Sequence, residues 1–267
     1  MHEGITDYLE IMQLAGVSEV RKDGTRAGGL RPPTVSESEN VRSGSVRSGS
    51  VSPPLLRKPV DSLPLGGRKP AALAPVHDLY TKAGQLLQLA DEVAGCSRCK
   101  GLAESRTQTV SGVGNPDSPL VFLGEAPGAD EDKKGEPFVG RAGQLLTDII
   151  VKGMKMRRED VYICNILRCR PPGNRNPLPD EAAHCRPFLD RTLEIIKPKF
   201  ICCLGAVAAK NLLATEQTIG ALRGKVLDYN GIKVICTYHP AYLLRNPAAK
   251  KDAWDDIRLL MQEMGMT

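Results

Sequence analysis

Short apolar runs alternate with helical patterns in the part of the chain that follows residue 75. The runs at 118–123, 160–167, 199–204 and 233–238 predict buried strands. Between and around them, apolar residues recur at helical spacing and predict helices at 78–93, 144–152, 179 onward, 206–213 and 252–264. Strands that alternate with helices favour a largely parallel sheet covered on both faces. Residues 76–267 are therefore predicted to form one α/β domain.

The first 75 residues follow different patterns. In residues 1–22, Ile5, Leu9 and Met12 would share one face of a short amphipathic helix, which could dock on a protein partner. Residues 23–75 are rich in Gly, Ser, Pro and Arg and have no aromatic residue. Such a segment buries too little apolar surface to offset its ordering entropy, so a disordered linker is predicted. Contact of its basic residues with nucleic acid is the alternative.

Charge and hydropathy narrow the class of protein. The 267 residues carry a formal net charge of +5, which mildly favours a polyanionic partner. No apolar run approaches the roughly 20 residues of a membrane span. The acidic residues near the start of the chain argue against a signal or transit peptide. We therefore expect a cytoplasmic monomer without membrane attachment.

A glycine-rich loop, GEAPGADEDKKGEPFVGRAG at 124–143, follows the first predicted strand. Its five glycines allow a backbone to approach a ligand closely, and it also carries carboxylates and the ring of Phe138. Open α/β sheets bind ligands at the carboxyl ends of their strands, and Asn165 and His239 also stand at strand ends. Their convergence at one sheet edge predicts a single active site. A solvated surface connection is the alternative for the loop taken alone.

The eight cysteines form two groups. Without a secretory signal, a disulfide framework is not the default. One group lies inside apolar strands and is predicted to be buried core: Cys164, Cys202, Cys203 and Cys236. The other group predicts a four-thiolate site: Cys96, Cys99, Cys169 and Cys185. Ligand identity alone does not distinguish zinc from an iron–sulfur cluster. A redox CxxC is disfavoured because it would normally follow a strand rather than a helix.

Three longer segments carry a recognisable pattern: GEAPGADEDKKGEPFVGRAGQLL, NILRCRPPGNRNPLPDEAAHCRPFL and TYHPAYLLRNP. Together with the preceding CxxC, they closely resemble the iron–sulfur-containing family 4 uracil-DNA glycosylases over roughly residues 79–262. The resemblance implies a three-layer α/β/α uracil-DNA glycosylase fold with a four-stranded parallel sheet. It also implies a [4Fe–4S] cluster on Cys96, Cys99, Cys169 and Cys185. The implied enzyme flips deoxyuridine out of uracil-containing DNA and hydrolyses its N-glycosidic bond, which starts base-excision repair.

The resemblance and the chemistry of the side chains together suggest roles in the predicted site. Phe138 would stack on the flipped base, and the Asn165 amide, which has a donor and an acceptor, would read its edge. His239 would stabilise the negative charge that develops on uracil. Glu125 is the first candidate for orienting the water, and Glu131 is the second. The backbone around the base would come from Gly124, Ala126 and Gly128. A core phenylalanine, a backbone-bonded asparagine and a structural histidine are the alternatives.

The segment after His239 predicts a contact with DNA. Leu243 and Leu244 could fill the gap that a flipped nucleotide leaves in the stack, while Arg245 anchors the backbone. Ordinary packing at the start of a helix is the alternative. The loop around Cys169 offers further arginines for phosphates, namely Arg168, Arg170 and Arg175. In the glycine-rich loop, Asp130 and Asp132 are expected to be solvated.

Other interpretations remain open on the sequence alone. Relatives that trap the cleaved sugar covalently carry a basic, histidine-bearing insert, which is absent between 132 and Phe138, so covalent capture is not expected. The chain could instead bind uracil-containing or damaged DNA with weak catalysis. A metal- or cluster-dependent protein with a different nucleotide substrate is a third hypothesis.

Overall fold

A computed structural model of the chain describes residue 78 and residues 80–266. The helix predicted within 1–22 and the linker predicted at 23–75 lie outside the described residues. The strands are β1 (Val113–Gly114), β2 (Leu120–Gly124), β3 (Tyr162–Asn165), β4 (Phe200–Leu204), β5 (Val226–Tyr229) and β6 (Ile232–Thr237). The α-helices are α1 (Lys82–Ala94), α2 (Lys100–Ser105), α3 (Ala129–Lys134), α4 (Arg141–Asp148), α5 (Pro179–Ile196), α6 (Ala206–Leu213), α7 (Ile219–Leu222), α8 (Pro240–Arg245) and α9 (Lys250–Glu263). Within this part of the chain, no helix has the length and apolar character needed to cross a bilayer.

The described residues form a six-stranded sheet in the order β1-β3-β2-β4-β6-β5. Its four central strands are parallel, and the edge strands β1 and β5 pair antiparallel to their neighbours. The predicted α/β/α fold with four parallel strands is thus confirmed, and two edge strands are added to it. β1 has two residues and β5 is partly exposed, so neither produces a continuous apolar run.

The two faces of the sheet support two separate cores. Val121 and Leu123 of β2 pack with α5 and α6 on one face, whereas Leu120 and Phe122 pack with α4 and α9 on the other. Successive residues of a strand point to opposite faces, so helices on both faces bury every residue of β2. Because both faces are buried, the sequences of the central strands are unbroken apolar runs.

The glycine-rich loop contains a helix that its composition does not reveal. α3 follows Gly128 and is followed by Gly135, whose φ of 80° lies in the left-handed region that favours glycine. Asp132, on this helix, is buried and accepts hydrogen bonds from the backbone N–H and the hydroxyl of Thr107. The expectation that Asp132 is solvated is wrong, because its carboxylate ties α3 to the segment after α2.

Candidate active site

A cavity of about 380 Å³ opens at the carboxyl edge of the sheet, beside the ends of β2, β3 and β6. Most of the predicted site residues line it: Glu125, Ala126, Gly128, Glu131, Phe138, Asn165, His239 and Arg245. The proline-rich loop adds a wall that was not predicted, made of Pro171, Asn174, Arg175 and Asn176. The structure therefore brings together residues from three distant parts of the sequence, 125–142, 165–176 and 239–245.

Asn165 and Phe138 meet beside Gly124 in this cavity. Asn165, the register partner of Gly124 across β2 and β3, is 2% exposed, and its side-chain oxygen has no hydrogen-bond partner in the described structure. A Cβ on Gly124 would stand 2.3 Å from Asn165 Oδ1 and 2.5 Å from Phe138 Cζ. Only glycine therefore lets the amide and the ring approach this strand end. A buried amide with an unused acceptor is ready for a ligand.

The backbone of Phe138 is held in an uncommon conformation. Its φ of 55° lies in the left-handed region, which is strained for an aromatic residue. Arg158 holds this segment, because its Nη2 donates to the carbonyls of Pro137 and Phe138 at 2.9 and 3.1 Å. Arg158 was not predicted, and no sequence signal marks a guanidinium that binds backbone carbonyls of a distant loop.

His239 caps the start of α8 and faces Phe138, with 5.6 Å between the ring centroids. Its Nδ1 accepts a hydrogen bond from the Ala241 N–H at 3.1 Å, so a neutral ring carries its proton on Nε2. Burial and, to a smaller extent, the nearby charge of Arg245 lower the pKa of His239 to about 4. At neutral pH the imidazole is therefore an uncharged hydrogen-bond donor.

The two candidate carboxylates have different surroundings. The Glu125 carboxylate makes no hydrogen bond or ion pair within the described residues, and burial raises its pKa above the usual value. The Glu131 carboxylate accepts backbone N–H bonds from Gly128, Val139 and Gly140, at 3.1, 3.0 and 3.0 Å. Both Glu131 oxygens are thus already bonded to the loop. Glu131 also positions the backbone around the cavity, and the roles of both carboxylates in orienting water stay predictions.

The two leucines predicted to contact DNA point in different directions. Leu243 is 2% exposed and packs against Leu145 and Ala253. Leu244 is 42% exposed. The expectation that both act as a wedge is therefore corrected, because Leu243 would have to leave the core to reach DNA.

The arginines of the proline-rich loop also differ. Arg168 is buried and donates to the Thr192 hydroxyl, so the expectation that it meets a phosphate is wrong. Arg175 forms a two-point ion pair with Glu181, at 2.8 and 2.6 Å. This pair joins the loop that lines the cavity to the first turn of α5.

The four cysteines predicted to bind a metal or cluster come together behind this loop. Cys99, Cys169 and Cys185 share an apolar cluster with Leu102 and Leu167. Cys96 packs against the neighbouring cluster of Leu89, Val93 and Phe188. Burial raises the pKa of Cys99 to about 11, with smaller contributions from the other three thiols. These four cysteines are free of disulfides and close enough to interact electrostatically.

Polar side chains near the four cysteines would stabilise these residues as thiolates. Arg106 Nη1 donates to Cys169 Sγ at 3.1 Å, and His184 Nδ1 lies 3.4 Å from Cys99 Sγ. In residues 78 and 80–266, no three Cys, His, Asp or Glu side chains converge as a single metal ion requires. A [4Fe–4S] cluster is larger and binds each of its four thiolates through a different iron. Four cysteines free of disulfides are the donor set that such a cluster uses. The other four cysteines are buried in strands, as predicted.

Comparisons with known proteins agree with this geometry. Residues 111–258 match the family model of the uracil DNA glycosylase superfamily. A type-4 uracil-DNA glycosylase of Archaeoglobus fulgidus is 45% identical over 182 residues, which cover 65% of this chain and 90% of the relative. One from Thermotoga maritima is 47% identical over 170 residues, covering 63% and 88%. A type-5 uracil-DNA glycosylase of Pyrobaculum aerophilum is 27% identical over 202 residues, covering 64% and 88%.

Proposed function

The chain belongs to the type-4 uracil-DNA glycosylases, and we propose that the cavity beside Asn165 is where it releases uracil from DNA. The enzyme is a hydrolase that acts on the N-glycosyl bonds of uracil-containing DNA. One observation carries the assignment of the site. The Asn165 amide is buried, its oxygen is unpaired, and it lies next to an aromatic ring and an uncharged imidazole.

Recognition begins with a deoxyuridine that has left the base stack. Phe138 offers a ring for stacking, and the Asn165 amide offers an acceptor for uracil N3–H and a donor for the adjacent carbonyl oxygen. Cytosine presents the opposite pattern at these positions and would leave the buried amide unsatisfied. Leu244 would fill the vacated space in the stack, and Arg245 would hold the backbone.

Bond cleavage separates a sugar cation from a uracil anion. The pair of electrons in the C1′–N1 bond leaves with uracil, and the Nε2–H of neutral His239 stabilises the charge that develops on its oxygen. Water adds to C1′ and passes a proton to the Glu125 carboxylate, which also stabilises the cation. The products are free uracil and an abasic site.

Type-4 glycosylases are associated with iron–sulfur clusters, and we assign the ligands here to Cys96, Cys99, Cys169 and Cys185. A bound [4Fe–4S] cluster would supply a rigid anionic link between the α1–α2 segment and the loop that walls the cavity. Hydrolysis transfers no net electrons, so the proposed role is structural.

Other parts of the proposal rest on the sequence pattern. We propose that the enzyme acts as a cytoplasmic monomer without membrane attachment, and that residues 1–22 bind a protein partner. Light scattering of the full chain measures its molar mass in solution, and a mass equal to two chains would refute the monomer. Loss of a co-purifying protein when residues 1–22 are deleted would support the docking helix.

The test of the site uses a labelled oligonucleotide with a single uracil, incubated with anaerobically purified protein and then treated with alkali. We expect strand scission at uracil and none at cytosine. Asn165→Asp should lose at least about 100-fold in uracil release or gain activity on cytosine, because its acid group changes the donor and acceptor pattern. Asn230→Asp, at the exposed turn between β5 and β6, is the matched control. Full uracil activity in Asn165→Asp without cytosine activity would refute the pocket, and DNA binding without scission would favour a binding protein.

A further inference from the structure

Arg168 places a guanidinium inside the protein without a carboxylate partner. The residue is 3% exposed, and its Nη2 donates to Thr192 Oγ1 at 3.0 Å. Its Nη1 is buried and makes no hydrogen bond to any described residue. A buried charge is strongly unfavourable unless an opposite charge compensates it. The structure therefore raises the question of which group balances this cation.

The protein groups around Arg168 do not supply that charge. The guanidinium interacts with the Cys164 thiol and the Tyr162 phenol, and burial raises the pKa of both groups above their usual values. Both are consequently uncharged at neutral pH, as is the Thr192 hydroxyl. Across residues 78 and 80–266, no Asp or Glu forms an ion pair with Arg168.

The position of Arg168 points to the cysteine site instead. Arg168 directly precedes Cys169 in the chain and follows Leu167, which packs in one apolar cluster with Cys169 and Cys185. Its guanidinium is also close enough to Cys185 to act on it electrostatically. Arg106 approaches the same site from another side through its bond to Cys169 Sγ.

We propose that a [4Fe–4S] cluster bound by the four cysteines is the counter-ion of the buried Arg168 guanidinium, so that Arg168 couples cluster retention to fold stability. The inference rests on the cluster assignment in the proposed function. Four thiolates give such a cluster a net negative charge, which the positive charges of Arg168 and Arg106 would offset. Arg168 is thus a positioning residue for the cluster and not a contact for DNA.

This arrangement predicts that one substitution has opposite effects in two states. With the cluster bound, Arg168→Met removes its counter-charge and should weaken retention. After the cluster has been removed, the same substitution eliminates an uncompensated buried cation and should stabilise the protein. A purely structural arginine, held only by Thr192 and by packing, would lose stability in both states.

The experiment compares the purified parent, Arg168→Met, Arg168→Lys and Arg170→Met. Arg170 adjoins Cys169 from the other side but is partly exposed and donates to Asn174, so it is the matched control. Iron release to a chelator is followed by cluster absorbance, and thermal midpoints are measured with and without cluster. We expect Arg168→Met to release iron roughly tenfold faster than the parent. Its midpoint should fall by about 4 °C with cluster and should not fall without it.

The charge-retaining Arg168→Lys should release iron more slowly than Arg168→Met, and Arg170→Met should match the parent. Iron release at the parental rate in Arg168→Met, or an equal loss of stability in both states, would overturn the inference. If the cluster-free protein does not fold, the order of the release rates decides alone. A parent protein that holds no iron would refute the cluster assignment itself. A parent that holds iron, together with an Arg168→Met variant that releases it at the same rate, would refute only the role of Arg168.

Discussion

His239 and Glu125 lie in the same cavity, and burial moves their pKa values in opposite directions. The pKa of His239 falls to about 4, and that of Glu125 rises above its usual value. Desolvation disfavours the charged form of each group, which is the cation for histidine and the anion for glutamate. Around neutral pH, the cavity consequently holds an uncharged imidazole donor and a carboxylate, as the roles proposed for His239 and Glu125 require.

The pH dependence of the rate follows from these two shifts. We expect uracil release in single turnovers to rise with pH as Glu125 loses its proton, and then to reach a plateau. No fall should occur as the pH rises through 6.5, because His239 is already neutral there. Glu125→Gln should lower the plateau about 100-fold. A decrease in rate centred near pH 6.5 would indicate that a histidine cation is required.

Gly124 offers a second test at the residue scale. A methyl group at this position would collide with the Asn165 amide and the Phe138 ring, so Gly124→Ala should displace both from their positions. We expect at least about a tenfold loss of uracil release, since a small misplacement of a binding group already has such an effect. Gly220→Ala is the control, because its added methyl group has only Thr218 Oγ1 within 4 Å, at 3.9 Å. Equal rates in the two variants would contradict the geometry at Gly124.

On the scale of elements, α8 divides its two leucines between the core and the surface. Leu243 fills the space between α4 and α9, whereas Leu244 is exposed to solvent. A six-residue helix thus contributes both to the stability of the fold and to the surface proposed to meet DNA.

Substitutions of these leucines should separate stability from DNA contact. Leu243→Ala should lower the free energy of unfolding by about 2–4 kcal/mol, because it leaves a cavity in the core. Leu244→Ala should change the free energy of unfolding by less than about 0.5 kcal/mol.

The same Leu244→Ala should slow uracil release from duplex DNA more than from single strands, because a base in a single strand needs less support to leave the stack. Urea unfolding and paired rate measurements check both expectations, and an equal effect on both substrates would argue against a wedge.

The elements that the sequence predicts well are those with a strong local signal. α5 begins at Pro179 and α6 spans 206–213, as predicted, because proline and glycine mark these starts and the apolar spacing is regular. The short β1, the partly exposed β5 and the polar α3 carry no such signal.

Within the site, the positions of Asn165 and His239 at strand ends predict that both residues belong to the cavity. The roles of Glu131 and Arg158 depend on backbone groups of a folded loop, and residue type does not encode that arrangement.

At the scale of the whole molecule, the proposed cluster links parts of the chain that are far apart in sequence. Cys96 and Cys99 lie between α1 and α2, whereas Cys169 and Cys185 flank the loop that walls the cavity. A link between such segments restricts the unfolded chain and should stabilise the folded protein accordingly.

Two buried cysteines allow this link to be tested against simple core packing. Cys185→Ser should abolish stable iron binding, lower the thermal midpoint and reduce uracil release, because the cavity wall loses its anchor. Cys202→Ser places the same hydroxyl in the apolar strand β4, so it should lower stability but leave the iron content unchanged. Iron analysis, thermal unfolding and alkali scission on both variants measure these outcomes. Normal iron content in Cys185→Ser would remove this residue from the ligand set.

The arrangement of strands also determines when during synthesis the enzyme can become active. The cavity is lined by Glu125 and Asn165, at the ends of β2 and β3, and also by His239, which follows β6, the last of the described strands in the sequence. Sheet pairing of β4 with β6 must therefore precede any complete base pocket. A nascent chain that has not yet emerged through α8 can collapse around its first strands but lacks part of the proposed site. The proposed site is consequently completed only after β6 and α8 have been synthesised.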